Sequence, residues 1–211
     1  MEFQLPYNAF RKGQLAPSDK IRWVRGLKRR AKQQREGATG NLMFVADANM
    51  SVQSIEAKID EYQPDVVFID GLYLLRDVKS SADGRIRVEN VSREVRSLAQ
   101  AYNVPIIASS QIHRMPGNLE KNWKNLTLGD LAFSDALSQD ADVVLALIRT
   151  EDMRMLNQLM VKPLKIREDD PKEFGVSWNL SDMKDTFHEI DINPEGDVAD
   201  QVDRTRLQRR D

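Results

Sequence analysis

Three groups of residues in this chain have the types and spacing to act on a phosphate chain. The first is Asp70, which closes the apolar run Val66-Val67-Phe68-Ile69 and precedes Gly71 and a second run, Leu72-Tyr73-Leu74-Leu75. A continuous apolar run reads as a strand buried on both faces, the kind found in parallel sheets. Asp70 then stands at the carboxyl end of that strand, where open α/β sheets bind ligands. An acid there can hold Mg²⁺ directly or through water, or it can simply cap the turn that follows. The second group is Ser109-Ser110-Gln111, closing Val104-Pro105-Ile106-Ile107-Ala108. Beside such an acid, an amide suits a nucleoside-triphosphatase: the acid anchors the metal, and the amide senses the γ-phosphate and positions water. The alternative for Gln111 is a polar loop residue satisfied by backbone. The third group is Lys165-Ile166-Arg167. Residues two apart in a strand project to one face, so the two cations point together. They suit an arginine-finger arrangement acting in cis or across a subunit boundary, or a charged guard on a solvated edge strand. Pro163 favours an edge or bulged position.

Elements that could carry these groups alternate along the chain. Ser18-Asp19 offers a cap for a helix through about Arg35, with Ile21, Val24, Leu27 and Ala31 on one face. Its other face carries Arg22, Arg25, Lys28, Arg29, Lys32 and Arg35, either solvated or turned toward phosphates. Leu42-Met43-Phe44-Val45 reads as a short strand, and Ser51 caps a helix that ends before Pro64. Residues 76–84 read as a polar loop without a packing signal. A helix follows with Val91, Val95, Leu98 and Tyr102 on one stripe. After a long loop over 112–130, whose length points to function or disorder, come a short helix near Ser134 to Gln139 and a strand from Asp142 to Arg149. Two antiparallel strands, 158–168 and 174–180, are joined by the acidic turn Glu168-Asp169-Asp170-Pro171. The pattern is α/β, with a mainly parallel sheet and an antiparallel strand pair at the C-terminal edge. In such a sheet Asp70, Ser109 to Gln111, and Arg149 converge on one rim.

Composition removes several chemistries. The chain has 211 residues, 41% hydrophobic and 30% charged, enough to bury one core. It has no cysteine and only two histidines, His113 and His188, which excludes thiolate sites and makes a histidine-rich metal site a poor expectation. No apolar run approaches a membrane span, and Met1 to Pro6 lacks a signal-peptide pattern, so a cytoplasmic protein without membrane contact is expected. A phosphate-binding P-loop needs Gly-x-x-x-x-Gly-Lys-Ser/Thr. None of the ten glycines is followed by lysine, so these residues contain no such motif.

Taken in order, these segments resemble the C-terminal RecA-type motor domain of DnaB-like replicative helicases, phage versions in particular, over residues 8 to 190. Asp65 to Leu75 resembles the family's Walker B strand, which gives Asp70 the Mg²⁺ role. Val104 to Arg114 resembles the strand whose Ser-Gln ending links the γ-phosphate to DNA loops, which gives Gln111 the coupling role. Gly129-Asp130-Leu131 through Ser138-Gln139-Asp140-Ala141-Asp142-Val143-Val144 is similar to the DNA-facing loop and the strand after it. Lys165-Ile166-Arg167 matches the Lys-x-Arg that reaches a neighbour's nucleotide. The resemblance implies a RecA-like core with helices on both faces of its sheet, using ATP and Mg²⁺. It further implies 5′-to-3′ unwinding of DNA and assembly with a ring homo-oligomer (a hexamer) or a complementary helicase half. Arg85, Arg87, Arg114, Lys121, Lys124 and Phe133, in loops 76–90 and 114–133, would line a channel and contact single-stranded DNA through its backbone.

Family members carry a P-loop and a catalytic glutamate upstream of the segment resembled here. The expectation is therefore a motor portion truncated at its N-terminal side and inactive alone: a basic-helix extension over 1–40 (helix about 18–36), a RecA-like core fragment over 41–192, and a charged, disordered tail over 193–211. Leu131-Ala132-Phe133-Ser134-Asp135 lacks the arginine common in this loop in bacterial relatives. Other readings are a non-enzymatic module binding single-stranded nucleic acid or ring subunits, or a recombinase- or clock-type RecA relative. The cytoplasm of a bacterium or a phage-infected host is the expected compartment.

Overall fold

The computed structural model describes residues 7–37, 40–79, 83–111, 123–130, 134–167, 172–179 and 187–191. They sort into two units: Ala46–Ala146 with Lys162–Lys172, and Met1–Val45 with Leu147–Val161 and Glu173–Asp211.

The first unit is built on two helices that cover one side of a parallel strand pair. Helix α3 (Val52–Tyr62) starts where the Ser51 side chain accepts from Ser54 N, and stops where Gln63 turns left-handed ahead of Pro64. Its buried Val52, Ile55 and Ile59 recur at helical spacing. Strand β1 (Val67–Ile69) runs parallel to β2 (Ile106–Ala108), pairing Val67 with Ile106, Phe68 with Ile107 and Ile69 with Ala108. Between them lie a 3₁₀ turn (Leu72–Leu74) and helix α4 (Gly84–Tyr102), capped by the Asp83 side chain. Ile69, Leu72 and Leu75 pack with Val52, Ile55 and Ile59 of α3 and Val91, Val95 and Leu98 of α4. Helix α5 (Ser134–Asp140) follows α4 in space as well as in the chain: Ser92 Oγ donates to Asp140 Oδ2 at 2.6 Å.

Tyr102 ties α4 to α3. Its hydroxyl donates to Asp60 Oδ2 at 3.0 Å and reaches Glu56 Oε1 at 3.3 Å. Desolvation, then the Asp60 hydrogen bond, pushes the phenol up to about 12. An unfolded tyrosine ionises near pH ~10, so the folded chain keeps this proton to higher pH. The contribution is complete below about pH 10 and is lost as pH rises toward 12. Tyr102→Phe is therefore expected to melt lower than the parent at pH 8 and to lose less stability above pH 10. Parallel melting curves that keep a constant gap across that window would remove Tyr102 as the titrating group.

The second unit holds α1 (Tyr7–Arg11), α2 (Pro17–Arg35), a short α6 (Glu151–Met155) capped by Thr150, and the antiparallel pairs of β4 (Gln158–Ile166) with β5 (Phe174–Ser177) and of β5 with β6 (Glu189–Ile190). Strand β3 (Val143–Ile148) and β4 pass through both units, and the second sheet is ordered β3-β4-β5-β6. The result is a mixed α/β fold with parallel and antiparallel strands. Among the described residues no helix is long and apolar enough to cross a membrane.

Several local expectations are corrected. The strand through Phe68 is not buried on both faces: Ile69 faces the helices while Phe68 is 68% exposed. Leu42 to Val45 forms no strand and is exposed, because no neighbouring strand is there to pair with it among the described residues. Within 76–79 one residue packs: Asp77 is 5% exposed and accepts from Asn90 Nδ2 at 2.9 Å, and Arg76 N donates to Met50 O, while Arg76, Val78 and Lys79 keep exposed side chains. Arg85 and Arg87, read as loop residues, are helical, since Asp83 nucleates α4 that early. Helix α2 begins at Pro17 after Ala16 with no side-chain cap, so Ser18-Asp19 is its first turn. Its Ile21, Val24 and Leu27 are exposed. Part of the loop over 112–130 is ordered as 3₁₀ turns, Trp123–Asn125 and Leu128–Asp130, with Trp123 buried. Strand β6 and helix α6 had no sequence signal long enough to read. The turn 168–171 and the tail 193–211 lie outside the described residues.

Candidate nucleotide half-site

The carboxyl ends of β1 and β2 are joined by one hydroxyl. Ser109 Oγ donates to Asp70 Oδ1 at 2.8 Å and accepts from Gly71 N at 2.8 Å. Backbone bonds continue the pairing past the strands: Ser109 N donates to Ile69 O, and Leu72 N to Ser109 O, both at 2.9 Å. The Asp70 carboxylate is exposed and held as an acceptor, with Ser109 as the donor. One residue pair further out, Gln111 Nε2 donates to Tyr73 Oη at 2.8 Å. Parallel pairing thus brings Asp70 and Gln111, distant in sequence, to adjoining strand ends.

A magnesium ion fits this arrangement. Mg²⁺ is held by one or two carboxylates, with water and substrate phosphates filling the other positions. Asp70 offers one exposed carboxylate with a single oxygen engaged by Ser109. No cluster of three or more His, Cys, Asp or Glu side chains exists among the described residues.

Lys165 and Arg167 gather at the C-terminal end of α5. Lys165 Nζ donates to Ser138 O at 2.6 Å and Ala141 O at 2.7 Å. Arg96 Nη1 takes the neighbouring carbonyls, Asp140 O at 2.6 Å and Gln139 O at 3.3 Å. Cations there satisfy the orphan carbonyls and complement the helix dipole. Arg167 Nη1 lies 2.8 Å from Asp142 Oδ1, with the arginine side chain 49% exposed. Lys165 is thus committed to a helix end and Arg167 is held only at the surface. Neither bonds to Asp70 or Gln111 among the described residues.

A family model for the DnaB-like helicase C-terminal domain matches residues 1–176. The chain belongs to that family. Among the relatives of this DnaB-family chain, a probable replicative DNA helicase of Trieres chinensis is 33% identical over 116 residues, 51% of this chain and 25% of the relative. The ATPase domain of G40P superposes with a TM-score of 0.68 at 22% identity, covering 90% of this chain and 66% of that domain. A DnaB-like replicative helicase, solved in a study of its interactions with primase, gives 0.65 at 22%, covering 84% and 42%. The chain spans between 17% and 25% of the length of the curated relatives it matches.

Of the DNA-facing residues read from sequence, Arg85 and Arg87 sit in the first turn of α4, and Lys124 is exposed in a 3₁₀ turn whose carbonyl accepts from Lys162 Nζ. Arg114, Lys121 and Phe133 lie outside the described residues. Arg149 is in the second unit, its guanidinium 6.0 Å from the centre of the Trp178 ring. Sequence reasoning missed three positioning residues. Tyr73 was read as one more apolar strand residue, though it is the only polar-tipped member of its run. Ser109 and Asp142 were quoted but given no partner.

Proposed function

We propose that this chain supplies the metal-binding and phosphate-sensing part of an ATP-driven replicative helicase motor, unwinding 5′ to 3′ with hydrolysis at subunit interfaces. The observation that carries this reading is the Ser109 bridge from Asp70 to Gly71, which sets a carboxylate beside Gln111 at adjoining strand ends. In the assembled motor Asp70 helps hold Mg²⁺, which neutralises charge on the phosphates of ATP. Gln111, steered by Tyr73, senses the γ-phosphate. Arg167, with Lys165 fixing its strand against α5, reaches a neighbour's nucleotide. Arg85, Arg87 and Lys124, together with Arg114, Lys121 and Phe133, are the proposed contacts to single-stranded DNA. The assembly is a ring of copies or a complex with a complementary helicase half. These residues hold no Gly-Lys pair, so they bind ATP tightly only with a phosphate loop from elsewhere.

An ATPase titration with single-stranded DNA tests this. The chain alone is expected to show no DNA-stimulated turnover, and turnover is expected once a P-loop-bearing segment is supplied. Vigorous hydrolysis by the chain alone would contradict the need for that segment. DNA affinity should fall with salt, with a log–log slope of about −0.7 per phosphate contacted. A flat salt response would remove the DNA-facing role.

A further inference from the structure

The positive charge of the chain is concentrated on helix α2. Between Tyr7 and Gly37 stand ten cations and two acids, Asp19 and Glu36, in a chain of formal net charge −2. At 3.6 residues per turn, Arg22, Arg25, Lys28, Arg29, Lys32 and Arg35 fall within an arc of about 140°, and all six are exposed. Arg22 and Lys32 have Asp19 and Glu36 at 3.6 and 3.7 Å, but surface pairs of this kind hold a cation weakly. Arg25, Lys28, Arg29 and Arg35 have no acidic partner among the described residues.

This pattern works against the helix itself. Arg25 neighbours Lys28 and Arg29, and Lys32 neighbours Lys28, Arg29 and Arg35, at the i,i+3 and i,i+4 spacings where like charges repel. A face that meets only water gains from acids at those spacings, and none stands between Lys20 and Arg35. A polyanion laid along the arc turns the repulsion into attraction. From Arg22 to Arg35 the stripe is about 20 Å long, a length over which duplex DNA carries about a dozen phosphates. The arc holds no aromatic ring: Trp23 lies outside it and packs edge-on against Phe10, with ring centres 5.2 Å apart. Unpaired bases are held by stacking on such rings, so the arc suits a backbone whose bases are turned inward. The Phe10 contact also takes up the residue best suited to anchor a helix in a lipid interface.

We infer that the face of α2 formed by Arg22, Arg25, Lys28, Arg29, Lys32 and Arg35 is a docking surface for the phosphate backbone of duplex DNA, held without regard to base sequence. Helix α2 belongs to the second unit, whereas Arg85, Arg87 and Lys124, the proposed single-strand contacts, belong to the first. The surface is thus a second nucleic-acid contact. It needs neither nucleotide nor a phosphate loop, so it stands independently of the motor reading.

The test titrates the full chain, without nucleotide, into a blunt duplex of about 24 base pairs and mixed sequence, read by fluorescence anisotropy from about 50 to 200 mM salt. The expected log–log slope is about −4 to −5, for four to six phosphates at about −0.9 each. Arg25→Gln, Arg29→Gln and Lys32→Gln combined should flatten it by about 2.7 and weaken binding most at the lowest salt. Gln is close to Arg and Lys in helix propensity, and the change removes like-charge repulsion, so the melting temperature should hold or rise. Arg25→Lys with Arg29→Lys keeps the charge and should keep the slope. No duplex binding by the parent, or a Gln variant with the parent's slope, overturns the inference. So does loss of binding in the Lys variant, which would show that more than charge was removed. Single-stranded oligo-dT and vesicles rich in phosphatidylserine are run in parallel. A Gln variant that loses affinity for either of these while binding the duplex as the parent does would make that probe's class the occupant in place of duplex DNA.

Discussion

Arg167→Ala is expected to lower ATP turnover of the completed motor by about 10³ to 10⁵-fold while leaving nucleotide affinity nearly unchanged. That loss corresponds to about 4 to 7 kcal/mol of transition-state stabilisation. In the proposed trans-acting role, what Arg167 would give up is small: its partner Asp142 is 2.8 Å away, but the two side chains are 49% and 68% exposed, and such pairs are worth about 0 to 1 kcal/mol. The surface pair therefore parks the guanidinium without trapping it. Asp142→Ala should consequently leave stability almost unaltered and turnover intact. Lys165 behaves differently. Lys165→Met removes the two part-buried bonds from Lys165 Nζ to Ser138 O and Ala141 O, a cost of about 1 to 3 kcal/mol visible as a lower melting temperature of the chain alone. Stopped-time ATPase assays and thermal melts separate the two. Full turnover with Arg167→Ala would end its assignment as the trans-acting cation, and an unchanged melt with Lys165→Met would end the capping role.

The sequence carried the elements with strong local signals. Ser51 ahead of Val52, Ile55 and Ile59 announced α3, and the stripe Val91, Val95, Leu98 announced α4, because caps and 3.6-residue spacing are local properties. The adjacency of Asp70 and Gln111 also followed, since two apolar strands separated by a helix pair in parallel. Burial did not follow. Phe68 and Leu42 to Val45 have the residue types of covered strands, yet covering them requires partners whose presence no local pattern records. The role of Lys165 was hidden for a related reason: its spacing to Arg167 gives a shared direction, but the carbonyls it caps belong to α5, far away in the chain. Asp77 shows the converse error, a polar residue read as solvent-facing that is buried against Asn90.

Gly71→Ala is the most severe single-methyl change expected at the half-site. Gly71 has φ +89°, in the left-handed region, where an L-residue costs about 1 to 2 kcal/mol. A Cβ there would lie 2.8 Å from Leu74 Cδ1. Leu74 is an exposed, flexible side chain and can swing aside, so the clash is the lesser part. The backbone strain is not relieved so easily. Rotating residue 71 toward negative φ carries its N–H away from Ser109 Oγ, removing a bond worth about 1 kcal/mol and the fixed orientation of the hydroxyl that donates to Asp70. Together these effects lower stability by about 2 to 3 kcal/mol, or about 4 to 12 °C in melting temperature for a chain of this size. Turnover in the proposed completed motor should fall further than stability alone explains, because the Ser109 hydroxyl that donates to Asp70 is no longer held by Gly71 N. Adding Leu74→Ala to Gly71→Ala distinguishes the causes. Removing the clash should restore only a small part of the melting temperature, whereas full recovery would show that crowding, and not the left-handed turn, is what requires glycine after Asp70.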